Sequence, residues 1–285
     1  MKTAFGYFGS KERIAPAVWQ RLGNPGYYYE PFAGSLGCLL ARPTPGRYEY
    51  VGDLDAHITN FWRAAKWAGP GELARWADWP RNSLDLKARL TWLEARKPPL
   101  RERLEADPMY FDARCAGWYA WVNSVRMHNQ GSSLHLMRPK GVKRRRQALP
   151  DYFGELADRV RDVTVYFGDW THLANAAVTA SKRGNCGLLL DPPYEGVREQ
   201  LYDHHDRTLS AKCRAFALAA ASPRLRIALC GYEGEPEMPD DWEQLAWGSQ
   251  TGKGRERIWF SPHCLRPTSA GAGNEAEALV ASLGR

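Results

Sequence analysis

Cysteine is sparse and unpatterned in this chain. The 285 residues hold six, at Cys38, Cys115, Cys186, Cys213, Cys230 and Cys264, with no Cys-x-x-Cys pair and no Cys/His spacing of zinc type. A disulfide-stapled scaffold and a zinc module are therefore excluded, and the thiols read as reduced and structural. The start, Met1 to Gly6, has no apolar leader core, and no later run approaches the length that spans a bilayer. A cytoplasmic protein without membrane association is expected. The pair His204-His205 lacks an evident third ligand, so no metal is expected. No internal repeat is visible either, and at this length the chain suits one large α/β domain carrying an insertion, or two domains.

Charge is unevenly spread. The net charge is +7, and the isoelectric point is about 9.1. Arg138, Lys140, Lys143, Arg144, Arg145 and Arg146 fall in one stretch with no acid among them. Such a run is either a solvated loop or a contact for phosphates. Its neighbours Asn123, Ser124, Arg126, His128, Asn129 and Gln130 all carry groups that hydrogen bond to bases or phosphates, which favours a nucleic-acid partner. Tryptophans, twelve here, serve more often as core or domain-packing residues than as base-stacking platforms, and Trp118 and Trp121, at i and i+3, fit one helical core face.

Strand-like runs organise the rest. Tyr27 to Glu30 leads into the glycine turn Pro31-Phe32-Ala33-Gly34-Ser35-Leu36-Gly37, and Cys38-Leu39-Leu40 begins a helical pattern. Tyr48 to Gly52 is a second strand ending at Asp53, and His57 to Trp67 is a helix with Ile58, Phe61, Trp62 and Ala65 on one face. From residue 68 to 159 the pattern turns helical, punctuated by Pro98-Pro99 and Pro150. The sheet resumes at Val163 to Phe167, followed by Gly168-Asp169. It continues at Gly187 to Leu190 and at Leu225 to Leu229, and a hairpin of Trp242 to Trp247 with Arg257 to Phe260 closes it. A short helix is expected near Glu275 to Leu283. The division predicted is a catalytic domain at 1–67 and 160–285 and an inserted, mainly helical domain at 68–159.

Two segments carry chemistry. The run Leu188-Leu189-Leu190 is apolar without alternation, as in a central parallel strand, so Asp191 stands at the carboxyl end where open α/β sheets bind ligands. Pro192 and Pro193 make a stiff turn with unpaired carbonyls, and Tyr194 adds a flat ring. Asp191 and the Pro192 carbonyl suit the two N–H groups of a planar exocyclic amine stacked on Tyr194. The Ala33-Gly34-Ser35-Leu36-Gly37 turn lets a ligand approach a helix start, and Asp53, ending the next strand, suits ribose hydroxyls. A Gly-x-Gly-x-x-Gly fingerprint and a Gly-x-x-x-x-Gly-Lys-Ser/Thr loop are both missing, which favours a nucleoside cofactor without polyphosphate.

Tyr7-Phe8-Gly9-Ser10-Lys11, Glu30-Pro31-Phe32-Ala33-Gly34, Asp53, Gly168-Asp169 and Asp191-Pro192-Pro193-Tyr194 follow in that order. In this the chain resembles the D12-class (Dam-like) N6-adenine DNA methyltransferases, especially bacteriophage members. The resemblance covers nearly all of the catalytic scaffold and leaves 68–159 poorly matched. It implies an α/β, Rossmann-like sheet of seven strands with one antiparallel, S-adenosylmethionine as cofactor, double-stranded DNA as partner, and a bacterial or phage-infected cytoplasm. By position, Tyr7 and Lys11 would lie by the amino-acid end of the donor. Glu30, Pro31, Phe32, Ala33 and Gly34 would form its turn, Asp53 would hold the ribose, and Gly168 and Asp169 would face its adenine. Asp191, Pro192, Pro193 and Tyr194 would form the catalytic motif. The insertion would be the target-recognition domain, with Asn123, Arg126, Asn129, Lys140, Lys143, Arg144, Arg145 and Arg146 as nucleic-acid contacts. Ribosomal RNA adenine, cytosine N4 and a non-catalytic AdoMet-binding module are the alternatives. Glutamine-N5 methylation is disfavoured by Asp at 191.

Overall fold

The computed structural model describes residues 1–7, 9–126, 148–193, 208–234, 237–248 and 255–266. Its strands are β1 (Tyr27–Glu30), β2 (Tyr48–Asp53), β3 (Val163–Phe167), β4 (Cys186–Leu190), β5 (Leu225–Tyr232), β6 (Glu243–Gly248) and β7 (Arg255–Phe260). Its helices are α1 (Ala15–Leu22), α2 (Gly37–Leu40), α3 (Ala56–Trp67), α4 (Pro70–Ala77), α5 (Ser83–Ala106), α6 (Ala113–Val125), α7 (Ala148–Val160), α8 (Trp170–Ser181) and α9 (Leu209–Ala220). The strands form one mixed seven-stranded sheet in the order β3-β2-β1-β4-β5-β7-β6, an α/β arrangement compatible with a Rossmann-like fold. Among the described residues, no helix is long and apolar enough to cross a membrane.

Two compact units emerge from the packing. One comprises Met1–Ser10, Ala33–Leu40 and Val51–Asp169, the other Lys11–Phe32, Ala41–Tyr50 and Trp170–Arg285. These boundaries differ from the division at 67 and 160 drawn from composition.

In the second unit β4 pairs in parallel with β1 and with β5, and β7 runs antiparallel to β5 and to β6. All five β4 residues are buried, as the unbroken apolar run requires of a strand covered on both faces. Tyr27 stacks on Tyr48, with centroids 4.9 Å apart, and Tyr29 on Tyr50 at 4.6 Å. An antiparallel strand brings its first residues to the edge where parallel strands end. Glu256 of β7 accordingly stands opposite Tyr232, the last residue of β5, and Asp191 directly follows β4 on that same edge.

The first unit is mainly helical. Asp55 caps α3, its carboxylate accepting from the backbone N–H groups of His57 (2.7 Å) and Ile58 (3.3 Å). Leu86, Leu93, Leu100 and Leu104 carry the buried face of α5 into a core with Cys115, Trp121, Val122, Val125 and Phe167. Two sequence expectations need correction. Pro98-Pro99 does not break the chain, because α5 runs straight through both prolines. Each removes a helical N–H and costs about 3 kcal/mol in a helix interior, but both lie on the exposed side while the leucine stripe stays buried. Pro150 likewise falls in the first turn of α7, where its missing N–H is harmless. The helix begun by Cys38-Leu39-Leu40 ends after four residues, since Pro43 and Pro45 follow and prolines push the preceding backbone away from helical angles.

Arginines fill the gaps between indoles in this unit. The Arg89 guanidinium, 5% exposed, lies over Trp79 (4.5 Å), Trp118 (4.9 Å) and Trp121 (4.4 Å). Arg114 lies over Trp118 (4.2 Å) and Trp92 (4.9 Å). Trp121 is buried and donates its indole N–H to the Trp79 carbonyl (2.8 Å), the packing role expected of it.

Candidate functional site

The glycine turn between β1 and α2 is built around Asp53. Gly34 N–H donates to Asp53 Oδ2 (3.0 Å), and Asp55 N–H donates to Oδ1 (2.9 Å). Ala33 N–H donates to the Gly52 carbonyl (2.8 Å), and Gly168 N–H to the Asp53 carbonyl (3.3 Å). Gly34 has φ +44°, and a Cβ there would stand 2.7 Å from Tyr7 Cε1, so both backbone and space demand glycine. Its carbonyl accepts from the Trp62 indole (2.9 Å). Gly168, at φ +145°, would set a Cβ 2.7 Å from the Tyr166 hydroxyl oxygen. Four of the residues singled out from the sequence, Tyr7, Gly34, Asp53 and Gly168, thus meet at one place. Asp169 is exposed at the start of α8.

Asp53 is half-buried, and its carboxyl is pushed up to about 7, first by desolvation and then by the neighbouring Asp55 carboxylate. Backbone amides from Asp55, Gly34 and Leu54 oppose the shift. A carboxylate has about four lone-pair directions. The hydrogen bonds from Gly34 and Asp55 occupy one direction on each oxygen, and the carboxylate keeps acceptor capacity that fits a ribose. Asp53 is not the helix cap, because Asp55 fills that role.

In the second unit, Lys11 lies four residues ahead of α1 and is 3% exposed. Its carbonyl accepts from Ala15 N–H (2.8 Å), and its Nζ is 2.7 Å from Asp191 Oδ2 and 3.9 Å from Glu256 Oε2. The Trp247 ring is 5.7 Å from the same nitrogen. Burial disfavours the ammonium, but Asp191 first, then Cys230 and Glu256, outweigh it and hold Lys11 above its ordinary range. Lys11 is therefore cationic and Asp191 is the carboxylate it touches. Pro192 is buried and Pro193 half-buried. Glu30, buried, accepts from the Tyr28 hydroxyl through Oε2 (2.8 Å). Pro31 is buried, and Phe32 stacks on Trp170 with centroids 6.1 Å apart.

Of the nucleic-acid candidates, Asn123 is half-buried on α6 and donates to the Tyr119 carbonyl (2.9 Å), and Arg126 is exposed at that helix's end. Tyr194, Asn129, Lys140, Lys143, Arg144, Arg145 and Arg146 lie outside the described residues, as do His204-His205 and 275–283. Sequence reasoning missed Glu256. Its signal was an acid on the inward face of a strand, in step with Ile258 and Phe260, which are both fully buried.

No protein-family model matches the chain, and a search of curated proteins gives no significant match.

Proposed function

We propose that the chain is an S-adenosylmethionine-dependent DNA methyltransferase acting on N6 of a flipped-out adenine. The observation that carries this reading is Asp191. It is a carboxylate at the end of a fully buried parallel strand, held by a buried lysine and followed by two prolines. An acid in that position stands where open α/β sheets bind ligands. The Asp53 turn supports the same reading, because it offers acceptors for a ribose and no Gly-Lys phosphate cradle.

When bound, S-adenosylmethionine supplies an electrophilic methyl group on a sulfonium sulfur. The chain's own residues do the rest. The adenine amine is a weak nucleophile because its lone pair is conjugated with the ring. Asp191 and the Pro192 carbonyl accept from its two N–H groups and favour the pyramidal nitrogen of the transition state, and Asp191 takes the departing proton. Lys11 fixes which carboxylate oxygen faces the amine by engaging Oδ2. Flipping the base costs a few kcal/mol, offset by stacking on Tyr194 and by phosphate contacts from the basic run at 143–146.

The test is incubation with methyl-labelled donor and unmethylated duplex DNA, and in parallel with RNA, followed by nucleoside mass spectrometry. N6-methyladenine in DNA is the expected product. Label in N4-methylcytosine, label confined to RNA, or donor binding without transfer would each overturn the reading in favour of a different substrate or a non-catalytic module.

A further inference from the structure

A second carboxylate shares Lys11 with Asp191. Glu256 is 3% exposed, and among the described residues its Oε2 has no hydrogen-bond partner. The adjacent arginine does not serve it, since Arg257 Nη2 is engaged by Glu233 Oε1 (2.5 Å). Trp247, opposite Glu256 in the β6–β7 register, also has a buried indole nitrogen with no partner among the described residues. Leaving a charged acceptor buried without a hydrogen bond is costly. Among the described residues the cation within range of that oxygen is Lys11, 3.9 Å away and beyond hydrogen-bond distance. In this arrangement two carboxylates flank one ammonium, and only Asp191 makes the short contact.

We propose that Glu256 is the reserve counter-ion of Lys11 and, through it, a positioning residue for Asp191. The role rests on the methyltransferase reading in one respect, the fate of a proton. As the N–CH3 bond forms and the S–CH3 bond breaks, the amine nitrogen becomes cationic and gives one proton to Asp191. A neutral carboxylic acid no longer balances the buried Lys11 ammonium. Closing the 3.9 Å gap gives Lys11 a new anionic partner, and its three N–H donors allow the exchange without a large movement. Burial and the Asp191 charge both raise Glu256, whereas Lys11 lowers it. Neutralising Asp191 removes the repulsion and makes Glu256 the better anion at the moment it is needed. Lys11 therefore stays paired throughout, and Asp191 is free to take the proton and later release it.

The test uses the full chain. Glu256→Gln keeps the shape and removes the charge. Its single-turnover methylation should fall by about tenfold or more, while donor and DNA dissociation constants stay within about twofold of wild type. Glu256→Asp should recover part of the rate, which a purely structural role would not predict. An unchanged rate in Glu256→Gln overturns the proposal, as does a loss confined to donor affinity. A denaturation cycle needs no activity. Asp191→Asn and Glu256→Gln should each leave a folded protein, and the double variant should lose more than the two losses combined, by about tenfold or more in unfolding constant. Additive losses overturn the exchange of Lys11 between carboxylates. Failure of Glu256→Gln alone to fold while Asp191→Asn folds also overturns it, because Glu256 would then be the primary partner. If wild type transfers no methyl group to any nucleic acid, the proposed function fails, and the cycle still decides the counter-ion role.

Discussion

Donor affinity should rise with pH through neutrality, and Asp53 should be the reason. In the ligand-free protein its carboxyl sits at about 7, raised first by desolvation. The ionised form is the one that accepts from two ribose hydroxyls, so binding must pull the group towards ionisation. With a value near 7, about one molecule in ten is ionised at pH 6 and about nine in ten at pH 8, so the dissociation constant should fall roughly tenfold between them. Binding should release about 0.9 proton at pH 6 and about 0.1 at pH 8. Calorimetry with S-adenosylhomocysteine in buffers of different ionisation enthalpy reads both quantities. Asp53→Asn should bind about 10- to 150-fold more weakly, the equivalent of roughly 1.5–3 kcal/mol for a charged acceptor, with no pH dependence over this range. Asp55→Asn separates the causes. It keeps an N-cap for α3 and deletes the second-largest contribution to the Asp53 shift, so the midpoint should move down. The same group makes folding stability of the ligand-free protein highest below about 4 and lowers it as pH rises towards 7, because the folded state holds the proton more tightly. Tight, pH-independent binding with no proton release would remove Asp53 from the donor site.

The remaining expectations are more local. Gly34→Ala should lower the melting temperature and weaken donor binding together, since a Cβ would meet the Tyr7 ring at 2.7 Å in a backbone conformation that L side chains resist; unchanged affinity would show that Tyr7 does not shape the turn. Asp191→Ala should cut single-turnover methyl transfer by about 10²–10³-fold, as loss of one preorganised transition-state partner does elsewhere, and leave calorimetric donor affinity in place. Arg89→Ala should cost about 2–4 kcal/mol in chemical denaturation, from the cavity among three indoles and the lost cation–π contacts; a loss under about 0.5 kcal/mol would mark the guanidinium as a spectator. Neutralising Lys143, Arg144, Arg145 and Arg146 should flatten the slope of log DNA affinity against log salt by about 0.9 per lost phosphate contact, and an unchanged slope would make the run a solvated loop.

The parts of this fold that are legible in sequence are those where local pattern and tertiary demand agree. The central strand at 186–190 reads directly, because burial on both faces leaves no polar position. The meeting of Gly34 with Asp53 is legible too, since the turn at φ +44° needs glycine and its N–H finds an acceptor in the acid that ends β2. Where the two demands conflict, the sequence misleads. Pro98-Pro99 looks like a stop, yet the leucine stripe of α5 supplies enough burial to carry the helix through it. Lys11 illustrates a different limit. Position along the chain assigns it to the donor end by resemblance, and only the sheet order brings its ammonium to Asp191. Glu256 needs one further step, because an antiparallel β7 must first deliver its amino end to the edge where β4 ends.

Buried polar pairs are not all chemistry, and the difference lies in which state they hold. Cys115 Sγ lies 3.3 Å from His57 Nδ1, a spacing a nucleophile and its base would show, and His57 Nε2 contacts the Leu93 carbonyl at 3.2 Å. Burial raises that thiol far above its ordinary range and lowers the imidazole, with Asp55 only partly opposing the latter. The proton therefore stays on sulfur, and the thiolate on which such chemistry depends is not formed. Stacked on Tyr119 and set among core residues, the pair is a hydrogen-bonded element of packing. At Lys11 burial also acts against the charge, but Asp191 first, then Cys230 and Glu256, more than cancel it. A site that keeps its charges in the interior has been built against desolvation, and there Asp191, with its 19% exposed side chain, is the member open to solvent.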